Sequence, residues 1–263
     1  MQIDRTPLPS RVFASKKRVD RWPWLLAGLL FCSLGMISGA RAADKIVLNV
    51  GVLAPYTTPD RQGFLDRIVV ALFREVGLDA EVQVFPTATE RSMLNANSGI
   101  DDGLAMRIEG LEKQYPNLIR VPEPLIVNDF VAYSNHQRFT TDSWDSLEPY
   151  VVSYIIGWKV FEKNVRKARE VTLVRDADQL FGLLGSGRAD VVLYERWQGL
   201  ERLRGLGIKA QVMEPPLVRA NMFIYLNKKH AALVPQVSQA LLKLKKNGSY
   251  QHIVDATLTP LTP

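Results

Sequence analysis

The stretch KIVLNVGVL at Lys45–Leu53 opens the folded part of the chain and decides its class. It is almost wholly apolar, which is typical of a strand that is buried on both faces of a sheet. The next segment, Phe64–Val76, carries apolar residues at the spacing of an amphipathic helix. Ala80–Phe85 then alternates apolar and polar residues, as a strand does. A second helix and a third strand are predicted at Glu90–Ala96 and Asp102–Met106.

The alternation of strand and helix continues outward from this first half. Because strands and helices alternate from Ile46 to Arg107, we expect a parallel sheet with helices on its faces. A second α/β half is predicted over residues 144–211, including a helix that runs from Trp158 to about Ala168. Two strands, Leu125–Tyr133 and Asn221–Leu226, are predicted to cross between the halves. Pro215-Pro216 is predicted to separate the second from a short strand at Ala210–Met213. A helix at Val234–Lys245 closes the chain, so the pattern predicts an α/β protein of two lobes with a cleft between them.

The N-terminal segment predicts export. Residues 1–42 combine a basic start, an apolar run at Trp22–Gly39 and the cleavage pattern Ala40-Arg41-Ala42. The chain is therefore expected to be periplasmic, with its mature part beginning at Ala43. An uncleaved anchor is the alternative, since the apolar run is near the lower length limit for a membrane span.

Composition excludes several classes of function. Residues 43–263 keep 26 of the 33 basic and 25 of the 27 acidic residues, so no net charge favours a nucleic-acid partner. The lone cysteine, Cys32, lies inside the signal, which leaves no thiol chemistry in the mature chain. The three histidines are isolated, and HExxH, CxxC, P-loop and GxGxxG motifs are absent. No metal, no cofactor and no catalytic residue is therefore expected, and nothing in the sequence indicates more than a monomer.

The ends of the predicted strands select the candidate site. In open parallel sheets a ligand binds beyond the carboxyl ends of the strands. In the first half this rule selects Tyr56, the loop Pro86–Arg91 with Arg91 as its candidate, and Met106-Arg107. In the second half, the turn Gly157-Trp158-Lys159 and Glu195 follow strands.

Each candidate side chain suits a particular part of a ligand. The guanidinium of Arg107 matches a carboxylate through two parallel hydrogen bonds. Trp158 and Tyr56 are expected to form an aromatic wall or a cation–π face, and Lys159 to cap the pocket. The charged candidates have an alternative in simple ion pairs: Arg107 with Glu109 or Asp102, Arg91 with Glu90 or Asp101, and Glu195 with Arg196 or Arg188.

Three stretches give the chain a family resemblance. NSGIDDG at Asn97–Gly103, GRADVVLYE at Gly187–Glu195, and the closing segment from Tyr225 to Tyr250 are similar to steps of the family-3 extracellular solute-binding proteins, the polar-amino-acid type. The resemblance covers most of residues 45–254 and rests on order and spacing. It implies the periplasmic binding protein class II fold, with a first lobe of residues 43–134 and 221–263 and a second of 135–220.

The resemblance also implies roles for the site. In the family an acidic residue after the "A-D-A" strand holds the ligand ammonium, and Glu195 occupies that place. An arginine after a first-lobe strand holds the carboxylate, and here the nearest is Arg107. The usual Thr…Arg segment reads Ile108–Lys113 instead, and the second-lobe Gly-Thr/Ser turn reads Gly157-Trp158, so the chain resembles a divergent member of the family.

Three functions are consistent with these features. The first is capture of a small amino-acid-like or carboxylate solute for an ABC-type transporter, with an inner-membrane permease as partner. The second is a sensory receptor whose closed form docks another protein. The third is an enzyme, because periplasmic cyclohexadienyl dehydratases resemble the same family, and Glu195 would then act as general acid or base.

Overall fold

The structure, a computed structural model, describes residues 45–85 and 89–262. The predicted signal at residues 1–42 lies outside these residues, as does the part of the candidate loop at Pro86, Thr87 and Ala88. The first half contains β1 (Ile46–Val50), α1 (Phe64–Glu75), β2 (Ala80–Val84), α2 (Thr89–Ser98) and β3 (Gly103–Ile108). β1 lies between β2 and β3 and pairs with both in parallel, which confirms the predicted βαβαβ order.

Two strands connect the first half to the second. The short strand β4 (Leu118–Arg120) is followed by the first crossing strand, β5 (Ile126–Ser134). The second half then contains β6 (Val151–Ile155), α3 (Lys159–Asn164), β7 (Glu170–Val174), α4 (Ala177–Gly185), β8 (Val191–Glu195) and α5 (Arg196–Leu206). β6 lies between β7 and β8 and pairs with both in parallel.

The prediction of a long helix after Trp158 was wrong. α3 ends at Asn164, and Val165 takes an extended conformation in which its side chain is buried beside Phe161. The basic segment beyond it is exposed coil rather than a helix face. Lys167 pairs with Asp145 there, and Arg169 pairs with Asp190.

One long strand returns to the first half. β9 (Gln211–Asn227) replaces the two separate strands predicted on either side of Pro215-Pro216. The ladder is nevertheless interrupted at these prolines, since β5 advances two residues from Phe130 to Ala132 while β9 advances five, from Val218 to Met213. Proline cannot donate to a ladder, which explains why the register slips there. α6 (Val234–Lys246) and α7 (Ser249–Thr257) complete the chain.

The sheet order is β2-β1-β3-β9-β5-β8-β6-β7, with β4 pairing beside β9. The first lobe is the parallel set β2-β1-β3 with the end of β9, and the second is the parallel set β8-β6-β7 with β5 and the start of β9. β5 and β9 are antiparallel and run through both lobes. The molecule therefore has the two-lobed architecture that the sequence predicts.

Each lobe buries apolar side chains on both faces of its sheet. In the first lobe α1 and α6 cover one face, and α2 covers the other, where Leu104, Phe223 and Tyr225 are buried. In the second lobe α4 and α5 cover one face, and α3 with its aromatic residues covers the other. Because the helices cover the faces of the sheet in each lobe, the strand ends remain available to form a site.

A cluster of ion pairs fixes the crossing strands to the second lobe. Asp129 of β5 pairs with Arg196 of α5 at 3.1 Å and with Arg219 of β9 at 3.0 Å. Arg196 also binds both carboxylate oxygens of Glu214.

Within residues 45–85 and 89–262, none of the helices has the length and apolar character that crossing a bilayer requires.

Candidate functional site

The candidate site lies where the carboxyl ends of the parallel strands of the two lobes meet. β1 and β3 of the first lobe end at Val50 and Ile108, and β8 of the second lobe ends at Glu195. Tyr56, in the loop after β1, places its hydroxyl 2.9 Å from Oε1 of Glu195. The crevice at which this fold class binds ligands is therefore bounded by both lobes.

A β-bulge at the end of β3 turns Arg107 toward α2. Leu104 lies opposite Tyr225 and Arg107 lies opposite Phe223, so β3 advances three residues where β9 advances two. The extra residue places Arg107 on the same face as Leu104, although simple alternation would put them on opposite faces. The side chain of Arg107 therefore lies on the face of the sheet that α2 covers, where it contacts Ser92, and not on the face that α1 covers.

The guanidinium of Arg107 is only partly satisfied. Nη1 donates to the carbonyl of Met106 at 3.1 Å, and Nη2 lies 3.4 Å from Oγ of Ser92. Nε is buried and has no hydrogen-bond partner among the described residues. Burial lowers the pKa of Arg107, and the nearby Tyr115 opposes this effect. Because an arginine stays charged in proteins, the group is a desolvated cation with hydrogen-bonding capacity to spare.

A buried polar chain holds Ser92 in place beside Arg107. Asn49, at the centre of β1, donates through Nδ2 to Asp101 at 2.6 Å and to the carbonyl of Ser92 at 2.9 Å. The hydroxyl of Ser92 donates back to Oδ1 of Asn49. Since that hydroxyl has used its hydrogen, its lone pairs face the donor Nη2 of Arg107. Sequence reasoning missed this chain, because a single Asn in an apolar strand is a weak signal.

Glu195 has a different environment from Arg107. It is the N-cap of α5, and its side chain is 1% exposed. Oε1 accepts from the backbone N–H of Trp197 at 3.2 Å and from the hydroxyl of Tyr56. Oε2 accepts from the backbone N–H of Gln198 at 3.0 Å and from its side-chain amide at 3.3 Å. A carboxylate offers about four acceptor positions, and all four have partners here.

Close helix packing keeps Glu195 buried. At Gly199 of α5 a Cβ atom would lie 2.3 Å from the hydroxyl of Tyr133, so only glycine lets the helix lie so close to β5. That hydroxyl donates to the carbonyl of Arg196 at 2.6 Å. Burial raises the pKa of Glu195, and the N–H donors of Gln198 and Trp197 and the hydroxyl of Tyr56 oppose the rise.

Tyr56 links the first lobe to a crossing strand as well as to Glu195. Its ring is fully buried, and its hydroxyl also lies 3.0 Å from Oδ1 of Asn128 in β5. One hydroxyl hydrogen cannot serve two acceptor oxygens. Two arrangements satisfy the group: Asn128 turns its amide nitrogen to the hydroxyl, or Glu195 carries a proton. Burial, followed by the nearby Glu195, raises the pKa of Tyr56 well above its usual value.

Trp158 belongs to an aromatic cluster at the end of β6. Its ring stacks on Tyr194 with centroids 4.6 Å apart and on Phe161 with centroids 5.6 Å apart. Phe130 of β5 meets it edge-on at 6.0 Å. Trp158 is partly exposed, so the cluster presents an aromatic edge directly after the β6 strand end.

The other predicted site residues have varied settings. Met106 is buried in the core of the first lobe. Gly157 has φ +88°, a conformation that favours glycine, and donates its N–H to Glu162. Lys159 pairs with Glu162 at 2.6 Å with 86% of its side chain exposed. Arg91 is exposed in the first turn of α2.

Three apolar side chains at the strand ends are exposed, which the sequence does not predict. Leu53 follows β1, Ile108 is the last residue of β3, and Ile156 follows β6, with exposures of 50%, 51% and 54%. The sequence places Leu53 and Ile156 at the ends of predicted apolar strands and Ile108 two residues after one, and an apolar residue in such a place carries no sign that it is exposed. Binding pockets are commonly lined by apolar groups with a few polar ones, and these residues supply that surface.

The described residues offer no metal site. Within 45–85 and 89–262, no group of three or more His, Cys, Asp or Glu residues is arranged to hold a metal ion. Asp102 instead accepts from the N–H of Val47, from Lys229 and from His230.

Comparison with known proteins supports the fold. No protein-family model and no curated protein matches the chain. Among solved structures it resembles an ancestral arginine-binding protein bound to arginine, with TM-score 0.62 and 18% identity over 81% of this chain and 97% of the other. It resembles the L-cystine solute receptor of Neisseria gonorrhoeae in its unliganded open conformation, with TM-score 0.64 and 18% identity over 82% and 92%.

A third solved structure belongs to a sensor. The chain resembles a histidine kinase sensor domain with similarity to periplasmic binding proteins, with TM-score 0.64 and 16% identity over 82% of this chain and 97% of the other. The similar structures are thus binding proteins, a receptor and a sensor domain. At these identities the likeness concerns the fold, and it confirms the two-lobed periplasmic binding protein architecture.

Proposed function

We propose that the protein captures a small carboxylate-bearing solute between its two lobes and releases it unchanged. The observation that carries this proposal is Arg107, a buried guanidinium at the carboxyl end of a first-lobe strand whose Nε has no partner among the described residues. A buried donor without a partner costs free energy. A bound carboxylate would remove that cost and supply two charge-assisted hydrogen bonds.

The two-lobed fold gives a reason for the solute to bind between the lobes. The proposed lobes are residues 43–134 with 221–263, and residues 135–220, connected by β5 and β9. A solute favours the closed arrangement only through contacts that it makes with both lobes. Arg107 of the first lobe and the Gly157-Trp158 turn of the second are the proposed contacts. Arg91 and Lys159 are proposed at the rim, and Met106 and Tyr56 beneath the site.

The proposed setting is the periplasm, reached through the signal at residues 1–42. Delivery to an ABC-type transporter is the first candidate role, supported by the similar binding protein and receptor. Sensing is the second, supported by the similar sensor domain. Pull-down of an inner-membrane permease by the solute-loaded protein supports the first role, and pull-down of a kinase ectodomain or other receptor supports the second.

The dehydratase alternative is less well supported by the site. A raised pKa would suit Glu195 as a general acid. However, the carboxyl is 1% exposed, and all of its acceptor positions are used by α5 and Tyr56. A substrate would have to displace this helix cap before proton transfer. Incubation with prephenate is the direct check, and release of phenylpyruvate would establish the enzyme.

The proposed function is tested by titrating the purified protein with amino acids, carboxylates, dicarboxylates and polyamines, with melting temperature and heat of binding as readouts. We expect saturable stabilisation by at least one carboxylate. Arg107→Met should weaken that binding by about 2–5 kcal/mol, the usual cost of removing one partner from a buried charged pair. Arg74→Met, which removes an exposed arginine from the last turn of α1, is the matched control. Binding that survives Arg107→Met unchanged would remove the site assignment.

A further inference from the structure

Resting on the proposed function, we infer that the solute is a carboxylate whose remaining part is apolar and carries no ammonium group. The site offers a cation with free hydrogen-bonding capacity and an apolar surface from both lobes, and the acids at the described strand ends are engaged by hydrogen bonds or ion pairs. This differs from the zwitterionic solute that the family resemblance implies.

The first step concerns the partner that an ammonium would need. Glu195 is the acid that the resemblance assigns to this role, but its oxygens accept from Trp197, from Gln198 twice and from Tyr56. An ammonium could bind it only after these donors were displaced from a buried carboxylate. Burying an ammonium without an acceptor is strongly unfavourable.

The second step concerns the other acids near the described strand ends. Glu109, after β3, pairs with Arg120, and Asp176, after β7, caps α4 through the N–H of Gln179. Glu162, after β6, pairs with Lys159 and accepts from Gly157. Asp129 of β5 and Glu214 of β9 are bound to arginines. Each of these acids already has a cationic or N–H partner, and Glu90, in the first turn of α2, accepts from the hydroxyl of Tyr115.

The third step concerns what the site does present. Leu53 and Ile108 from the first lobe and Ile156 from the second are each about half exposed at strand ends. The edge of Trp158 lies directly after Ile156 and is backed by Tyr194 and Phe161. Apolar groups that converge from two lobes are covered when the lobes approach, and that burial favours a solute with an apolar body.

The test compares compounds that share one carbon skeleton and differ in charge. Isothermal titration of the purified protein would use 3-phenylpropanoate, phenylalanine and phenethylamine, and then 4-methylpentanoate, leucine and 3-methylbutylamine. The expected result is that at least one carboxylate binds about tenfold or more tightly than its amino acid, while neither amine binds. Arg107→Met should weaken carboxylate binding by about thirtyfold or more.

Variants of the apolar surface make the test specific. Ile108→Ser and Ile156→Ser should each weaken binding of the preferred carboxylate by about threefold to tenfold, because each removes apolar area from the contact. Leu206→Ser is the matched control. Leu206 is 45% exposed at the far end of α5, and its replacement should leave affinity unchanged.

The outcomes separate this inference from the proposed function. Tighter binding of phenylalanine or leucine than of its deaminated partner overturns the inference and leaves solute capture standing. Binding of dicarboxylates alone has the same meaning, whereas binding of polyamines alone overturns both proposals, because a polyamine carries no carboxylate. Failure of every compound in both panels to bind the folded protein overturns both.

Discussion

The ends of β3 and β8 place a charged residue at equivalent positions in the two lobes, yet the two charges have opposite environments. Arg107 retains a buried N–H without a partner among the described residues. Glu195 accepts four hydrogen bonds and serves as the N-cap of α5. A strand end therefore indicates where a ligand group is expected, but only the surrounding donors and acceptors decide whether a side chain is free to bind it.

The sharpest test of this comparison is the effect of each charge on stability. Glu195→Ala removes a helix cap and leaves the buried hydroxyl of Tyr56 with one partner fewer, so we expect a loss of roughly 2–4 kcal/mol. Arg107→Met removes a desolvated cation and should change the free energy of unfolding by less than about 1 kcal/mol. Urea denaturation monitored by fluorescence measures both.

A double-mutant cycle sharpens the structural role of Glu195. Tyr56→Phe should cost about 1 kcal/mol alone. Combined with Glu195→Ala it should cost less than the sum, because the two residues share one hydrogen bond. Equal and small losses for Arg107→Met and Glu195→Ala would contradict the proposed difference between the two strand ends.

Ser92 tests whether Arg107 is held in place by its neighbours. Ser92→Ala leaves Oδ1 of Asn49 without its donor and frees Nη2 of Arg107, so we expect a stability loss of about 1–3 kcal/mol. Solute affinity should also fall, by about threefold to tenfold, the effect of roughly 1 kcal/mol. In the Arg107→Met background the same change should leave the residual affinity unaltered. A further loss of affinity in that background would show that Ser92 acts independently of Arg107.

The pH dependence of stability offers a smaller effect. Burial raises the folded-state pKa of Glu195 above its ordinary value of 4.5. Between these two values the unfolded chain loses its proton while the folded chain keeps it, so this residue makes stability fall as pH rises above about 4.5. Glu195→Gln should remove that component, so the difference in unfolding free energy between the proteins should change across this window and level off above it. A constant difference from pH 4 to pH 8 would mean that burial does not perturb Glu195.

The smallest effect is expected at Lys159. Its pair with Glu162 is exposed to solvent, and such pairs contribute little. Lys159→Ala should leave the melting temperature unchanged within error and should lower the solute affinity by no more than about twofold, because Lys159 lies at the exposed rim. A larger loss of affinity would make Lys159 the cap of the pocket and would move the solute toward the second lobe.

The βαβαβ half was predictable because its signals are local. The helical spacing of Phe64–Val76 and the apolar strand at Lys45–Leu53 each concern residues adjacent in sequence. The helix after Trp158 was predicted too long, since the pattern does not reveal that Val165 leaves the helix to enter the core. The strand–proline–strand pattern before Asn227 was interpreted as two elements, whereas pairing with β5 holds them as one strand with a register slip.

The candidate site was predictable in location but not in its hydrogen bonding. The strand-end rule found Arg107, but its direction depends on a bulge against β9, a strand more than one hundred residues later. Glutamate is not among the residues preferred at a helix N-cap, so little in the sequence indicates that Glu195 caps α5. Its bond to Tyr56 joins residues 139 positions apart.

The sequence by itself determined the alternation of strands and helices, the two-lobed class and the order of the strand ends, because these follow from periodicity along the chain. Only the tertiary structure decided which charged side chain at those ends keeps an unpaired hydrogen-bonding group, which one is fully hydrogen-bonded, and which apolar side chains face solvent. The physical reason is that hydrogen-bond capacity and exposure are set by partners that the fold brings together from distant segments. Arg107 is left unsatisfied and Glu195 satisfied by neighbours that neither residue has in the sequence.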